Sequence, residues 1–564
     1  MPHPRPPRPA AFALQIASLV GLCLPATPVQ AQRVVVPTSN SGVQTSGGPS
    51  AESGQFLGEL GVPAAEAPAS PGKPGDSPAS VPAASPAPWP PAPVEPASAD
   101  GCSRPLTGSG TTYHVGPGQP ITELTDVPWL SLRAGDVVNI YHRAEPYRTK
   151  IGLRAQGTAD APVVLHGVTD AKCNRPVISG QNAVTARDAV AAGFFNKQYT
   201  EPYGLIFLYK SREQAWGSRP KHIRIANLKL TGAHKDNRYT AQDGSTGTYV
   251  GGAAAIYAVV VEDLTIENCE ITRNGNGVFV NSKSEDEASR GVFIRHNRIW
   301  DNGNVGSWFE HNLYIQTARA LYEGNHIGQL IPGARGSSMK DRSSATVVRY
   351  NHIVASARAI DLVEIEGGVR QVLKDPLYPD AWVYGNLIVN DFRNLGQSSV
   401  KLIHWGGDND ERYFRQGTLH FYNNTVLHTS TQAQAWYMAL FDMPTGQHKV
   451  DARANVFVNQ GTTQMRVGHE AGTIEFNGTN WISRDWAEAG PTSLVRIAIK
   501  GKLLSQPAAG LGPDGRPRAG AAGTDLAESV DDLPAVGHQF AEPAGIVRRT
   551  RTGRAMDLGA FELK

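Results

Sequence analysis

A right-handed parallel β-helix, all-β and built as one long solenoid, is the fold class that this sequence predicts. Three observations predict it. A phrase of the form apolar-x-x-Asn-x-apolar recurs along the chain, as in GVFIRHNRIWDNG (291–303), ATVVRYNHIVAS (345–356), AWVYGNLIVND (381–391) and TLHFYNNTVLHT (418–429). Its marker asparagines are Asn297, Asn325, Asn351, Asn386, Asn424 and Asn455, at intervals of 28, 26, 35, 38 and 31 residues. A spacing of this size marks a repeat architecture. Inside each copy apolar and polar residues alternate with period two, which excludes helical repeats, and each repeat has too few strands for a propeller blade.

Taken in order, residues 1–31 read as an export signal. Arg5 and Arg8 form a basic start, Ala10 to Leu24 an apolar stretch, and Val29-Gln30-Ala31 a small-residue cleavage pattern. The apolar stretch is too short for a membrane span, and no later segment reaches spanning length. An exported monomer, periplasmic or extracellular, is expected. Residues 32–100 hold 14 of the 40 prolines amid Ala, Ser and Gly, with almost no apolar periodicity. Such a segment buries too little surface to offset its chain entropy, so a disordered, extended linker is expected there. The β-helix is expected over 101–500 and a C-terminal capping segment over 501–564.

Two earlier copies of the phrase fit if Cys269 and Leu228 take the marker position. The asparagines themselves are expected at a tight bend, stacked coil on coil with their amides bonded to one another. Past the signal, Cys102, Cys173 and Cys269 remain. An oxidising compartment permits a Cys102–Cys173 disulfide, and three buried thiols are the alternative. Charged residues are 18% of the chain. The linker carries Arg33 and Lys73 against six acids, and the rest of the mature chain is about +4. This balance points away from nucleic acid and leaves room for a local basic groove for an acidic polymer.

The string RHNRIWDN … YNHI … YGNLI … YNNTV resembles the secreted right-handed parallel β-helix proteins of the pectate-lyase-like superfamily. GPDGRPRAGAAGTDLAESV (512–530) with GRAMDLGAFEL (553–563) is similar to the closing segment of bacterial members. The resemblance covers roughly 105–564 and implies the fold; the superfamily holds lyases, hydrolases, epimerases and adhesins. MKDRSSATVVRYNHI (339–353) resembles the Lys-Ser-Ser-x-Asn-x-x-Arg-x-Asn motif of polysaccharide lyase family six, which includes chondroitinase B and alginate lyases. That resemblance places Arg342 at the family's catalytic lysine, Lys340 one side-chain period away, and Arg349 at its internal arginine. Glu364 and Glu366 form a Glu-x-Glu like the family's Ca²⁺ ligands, displaced by one coil.

The marker also sets a register. Fifteen residues beyond it lie Asn312, Lys340, Glu366 and Lys401. Strand alternation adds Tyr314, Gln316, Arg342 and Glu364 to the same outward face. Insertions at 283–290, 328–338 and 366–380 would wall this patch, and Trp308, Tyr314, Trp405 and Trp436 could stack on sugar rings. The patch suits a lyase acting on a uronate polymer. Lys340 or His311 would take the C5 proton, Arg342 would meet the carboxylate and Tyr314 would protonate the leaving oxygen. Lys401, Arg349, Trp405 and Asn312 are candidate substrate contacts. Glu364 and Glu366 would hold Ca²⁺ with Asn312 or orient the lysines. Two alternatives stand beside this reading. Asp341, Asp361, Glu364 and Glu366 could serve a glycoside hydrolase, and a solvated face with ion pairs would suit a binding solenoid or adhesin.

Overall fold

A computed structural model describes residues 89–94, 102–283, 287–391, 398–431, 434–506 and 510–563. The expected export signal, most of the expected linker and part of the 283–290 insertion lie outside the described residues.

The described chain is a parallel β-helix. Three sheets run its length, with 13, 11 and 14 strands, and each coil visits them in turn. One coil runs through Arg290–Arg295 in the first sheet, Arg298–Trp300 in the second and Leu313–Ile315 in the third, then returns to the first at Ala318–Glu323. Strands of successive coils pair in parallel; for example, Val292, Phe293 and Ile294 lie beside Ala320, Leu321 and Tyr322, while Arg238–Thr240 pairs antiparallel with Thr246–Thr248 at one end of the third sheet. Inward-facing Val292, Ile294, Ala320 and Tyr322 are wholly buried. They belong to a single apolar core that runs from Val115 to Ile482.

The marker asparagines stand at the bend between the first and second sheets. Asn297 Nδ2 donates to Asn325 Oδ1 (3.1 Å), and the chain of donations continues to Asn351 (2.9 Å), Asn386 (3.0 Å), Asn424 (3.0 Å), Asn455 (3.2 Å) and Asn480 (3.1 Å). Each marker's backbone N–H donates to the same oxygen, as Asn386 N does to Asn424 Oδ1 at 3.0 Å. Cys269 and Leu228 do take the equivalent place in earlier coils, and Cys269 N donates to Asn297 Oδ1 (2.9 Å). The residue before the marker turns the corner with positive φ: Asn227 60°, Asn268 51°, His296 56°, Gly324 64°, Tyr350 57°, Gly385 67°, Asn423 50° and Ala454 53°. A left-handed residue with a Cβ costs roughly 1–2 kcal/mol. The amide ladder offsets that cost by satisfying every donor at the bend.

Two segments cover parts of two of the three outer faces. Trp89–Val94 lies on the first sheet: Trp89 Nε1 donates to Ala345 O (2.9 Å) and Arg349 Nη2 donates to Pro91 O (2.8 Å). The C-terminal residues return along the second sheet, with Gly559 N on Ala454 O (2.7 Å) and Ala560 N on Thr425 Oγ1 (2.9 Å). Cys102 and Cys173 form a disulfide, and Cys269 is a buried free thiol.

Candidate functional site

The outer face of the third sheet is left to insertions. Residues 301–312 and 328–338 rise at its leading edge, 363–380 and 406–417 at its trailing edge, all within four consecutive coils. The leading pair brace each other through Gly306 N to Gly333 O (2.8 Å) and Arg335 N to Ser307 O (2.8 Å). On the trailing side, Glu364 pins the 408–410 turn by accepting from Asp408 N (2.8 Å), Asn409 N (2.9 Å) and Asp410 N (3.0 Å).

Between these walls one outward column runs in strict register: Phe207, Tyr257, Phe279, Tyr314, Lys340, Asp361, His404, Asp442 and His469. The first four rings stack, with centroids 5.4, 4.5 and 4.8 Å apart. The aromatic column ends at Tyr314 and a charged ladder begins. Lys340 Nζ contacts Asp408 Oδ2 (2.6 Å) and Asp361 Oδ2 (3.3 Å). Asp361 Oδ1 accepts from His404 Nδ1 (2.8 Å), and Asp442 Oδ1 from His469 Nδ1 (2.7 Å). Arg342, with a side chain 1% exposed, donates to Glu364 O (2.7 Å) and Asp408 Oδ1 (3.1 Å) and lies 3.6 Å from Glu366 Oε1. Tyr314 Oη donates to Glu366 Oε2 (2.8 Å).

The electrostatics follow from burial and these pairs. Burial alone raises a carboxyl pKa, but Lys340, Arg358 and His404 reverse it for Asp361, and Arg342 and Lys340 for Asp408; both are held well below the usual range. Burial and the adjacent Glu366 raise the Tyr314 phenol well above its ordinary 10, so it keeps its proton. Burial and Lys340 push His311 down to about 3, which leaves it neutral. Its Nδ1 accepts from Ser337 N (2.9 Å).

Several expected placements are corrected. Asn312 is not outward. It is buried at the turn, where it accepts from Asn302 Nδ2 (2.8 Å) and donates to Gly328 O (2.7 Å). Trp405 faces inward beside Leu362, is wholly buried, and has the Arg415 guanidinium over its ring. Arg349 lies on the first sheet, held by Glu323 (2.7 Å) under the Trp89–Val94 segment. Asp341 points into the solenoid, bonded by Tyr322 Oη and Thr346 Oγ1, both 2.6 Å. Arg342 is enclosed by Glu364, Glu366 and Asp408, so it cannot meet a substrate carboxylate as expected. Lys401 is on the outward face, but three coils beyond Tyr314 and 4.0 Å from Asp442. Lys340, Tyr314, Arg342, Glu364, Glu366 and His311 do come together.

Ca²⁺ does not fit Glu364 and Glu366. Both Glu364 oxygens are taken by backbone N–H groups, and the Arg342 guanidinium occupies the space between the two carboxylates. With Asn312 buried elsewhere, no third oxygen ligand completes the expected set.

Sequence reasoning missed His404, Asp408, Arg358, Asp442 and His469. Asp408 and Arg358 reach the site from loops and carry no repeat signal. The other three stand in register with Lys340, where the pairing of strands finds them and a fixed count does not. Of the candidate sugar platforms, Trp308 and Trp436 are exposed, at 46% and 62%.

No family model matches the chain, and no curated protein sequence matches it. Among solved structures, the chain is similar to an alginate lyase from Paenibacillus sp., at 13% identity over 66% of this chain and 94% of that one, with a TM-score of 0.31. It is also similar to a GH136 lacto-N-biosidase from Eubacterium ramulus, at 12% identity over 70% of this chain and 68% of that one, with a TM-score of 0.31.

Proposed function

We propose that this protein is an exported lyase that cleaves a uronate-containing polysaccharide by β-elimination, acting as a monomer. One observation carries the reading: Tyr314 and Lys340 are register partners on adjacent coils, on a walled floor where Asp361 and Asp408 are held as anions. Adjacent coils are roughly 4.8 Å apart, the separation that suits a base at C5 and an acid at the neighbouring C4 oxygen. Lys340 Nζ takes the C5 proton. The C4–O bond breaks, a C4–C5 double bond forms, and Tyr314 gives its phenolic proton to the leaving oxygen. Asp408 and Asp361 then stabilise the ammonium formed on Lys340, and Arg342 faces the charge developing on Tyr314.

Elimination leaves an unsaturated sugar that absorbs in the ultraviolet. Incubation with alginate, pectate, glucuronan and glycosaminoglycans should give that absorbance on one of them. One observation favours hydrolysis as the second reading: the ligand atoms of Asp361, His404 and Asp408 lie within 4.8 Å of one another, close to the carboxyl spacing of a retaining glycosidase. That reading lacks a protonated carboxylic acid, since Asp361 and Asp408 both stay ionised. Release of reducing ends without ultraviolet absorbance would favour it over elimination.

A further inference from the structure

Elimination needs the uronate carboxylate neutralised, and Arg342, where the sequence placed that role, is enclosed by Glu364, Glu366 and Asp408. The third-sheet face has a second arginine in a different state. Arg358 precedes the Ile360–Leu362 strand and reaches between two carboxylates, with Nη1 3.6 Å from Asp361 Oδ2 and Nη2 3.7 Å from Asp442 Oδ2. Both contacts are longer than a hydrogen bond. The Arg358 side chain donates no hydrogen bond among the described residues, and it is 18% exposed. A guanidinium has five donors in a planar fork that matches a carboxylate. In Arg358 the charge is anchored between Asp361 and Asp442, while its donors are left unspent beside Lys340.

We propose that Arg358 is the residue that binds the uronate carboxylate, and so determines selectivity for acidic over neutral sugars. This rests on the elimination reading of the same site. The carboxylate sits on the Arg358 fork, and C5, bonded to that carboxylate carbon, is presented to Lys340, which shares Asp361 with Arg358. No residue is consumed and no co-reactant is needed. The guanidinium counters the charge that builds on the carboxylate as the C5 proton leaves.

The test measures binding apart from turnover. Tyr314→Phe removes the proposed acid and keeps the ring in its stack. In that background, titration calorimetry with a saturated oligouronate of the polymer that wild type cleaves, or of alginate if it cleaves none, is compared with the same oligomer after carboxyl reduction. Adding Arg358→Gln should weaken oligouronate binding roughly 10- to 100-fold, as for losing hydrogen bonds to a charged group, and leave the reduced oligomer unaffected. Arg358→Lys, which keeps the charge and loses the fork, should fall between. Equal oligouronate affinity with and without Arg358, or equal weakening for both oligomers, would overturn the assignment. So would an oligouronate that does not bind at all. The elimination reading fails separately, when wild type binds oligouronate through Arg358 yet releases no ultraviolet-absorbing product. Melting curves of each variant show that the solenoid is intact; if Arg358→Gln does not fold, the Arg358→Lys comparison decides alone.

Discussion

Two single-register columns run through the same coils, one buried at a bend and one on an outer face, and they follow opposite rules. The bend column is asparagine in seven successive coils from Asn297 to Asn480, each amide bonded to the next. Up to Asn455 every coil makes the same demand there: a left-handed residue just before and two donors to satisfy across the gap. The third-sheet column changes at nearly every step, from Tyr314 to Lys340, Asp361, His404, Asp442 and His469. Backbone geometry asks for nothing so varied. Repetition reports the fold; a register that stops repeating between walls of inserted loops reports a choice made for another reason.

The largest expected effect separates the two columns by activity. Lys340→Ala should cut turnover by roughly 10²–10⁴-fold if it is the proton acceptor. Its side chain is only 11% exposed and pairs with Asp408 and Asp361, so the same substitution should also lower the melting temperature by leaving two largely buried carboxylates short of a partner. Turnover within a few-fold of wild type would remove Lys340 from the chemistry and leave the outer column as ion pairing alone.

The reverse holds for the bend column. Asn386 Oδ1 accepts from Asn351 N (2.9 Å) and Nδ2 (3.0 Å), and its own Nδ2 donates to Val348 O, Tyr384 O and Asn424 Oδ1. Asn386→Ala strands buried donors and acceptors on both sides and should cost about 2–4 kcal/mol by urea denaturation. Any activity that survives should have an unchanged KM. A loss under about 0.5 kcal/mol would mean that the ladder is incidental to the bend.

That contrast also explains what could be read in the sequence. The fold was legible because the asparagine repeats in chain order; six phase markers and period-two strands were enough to place Cys269 and Leu228 correctly. The site was only partly legible, because register is set in space and counts residues differently in each coil. Tyr314, Lys340, Asp361 and His404 lie 17, 15, 10 and 18 residues after Asn297, Asn325, Asn351 and Asn386. The connections from second to third sheet differ in length, so a constant offset of 15 finds Lys340 and misplaces Asn312 and Glu366. An irregularity in the register of the Ser398–Trp405 strand shows the same limit. Asp408 and Arg358 arrive from loops, for which no periodic argument exists.

Acid should reveal the buried imidazoles. Burial is the main cause that pushes His296, His428 and His448 down to about 4, and His311 to about 3. An unfolded histidine titrates near 6.5. Below that pH the unfolded chain takes up protons that the folded chain refuses, so stability is full above 6.5 and falls as the pH drops toward 4. A fully buried site such as His428, wedged against Asn390, contributes up to about 3 kcal/mol to that fall. The urea midpoint should therefore decline between pH 7 and 5, before the low-lying carboxylates titrate. His428→Gln should make the decline shallower by about one proton. A flat midpoint over that interval would mean that these imidazoles accept protons in the folded state.

The smallest effect compares the covered first sheet with the walled third. Trp89 donates its indole N–H to Ala345 O, packs on Phe293 at 6.3 Å and has Arg319 over its ring. It lies next to the stretch whose Pro91 carbonyl accepts from Arg349. The composition of 32–100 predicted a passive linker, and one aromatic in a proline-rich stretch was a weak signal for a docked strap. Yet this segment shields the buried Arg349–Glu323 pair from water. Trp89→Ala should cost about 1–2 kcal/mol, less than a core tryptophan because the ring is only half-buried, and it should open Trp89–Val94 to proteolysis. Turnover should stay at the wild-type value, since the strap and the Lys340 column lie on different sheets. Loss of activity with an unchanged melting temperature would break the comparison, because the first-sheet face would then belong to the site.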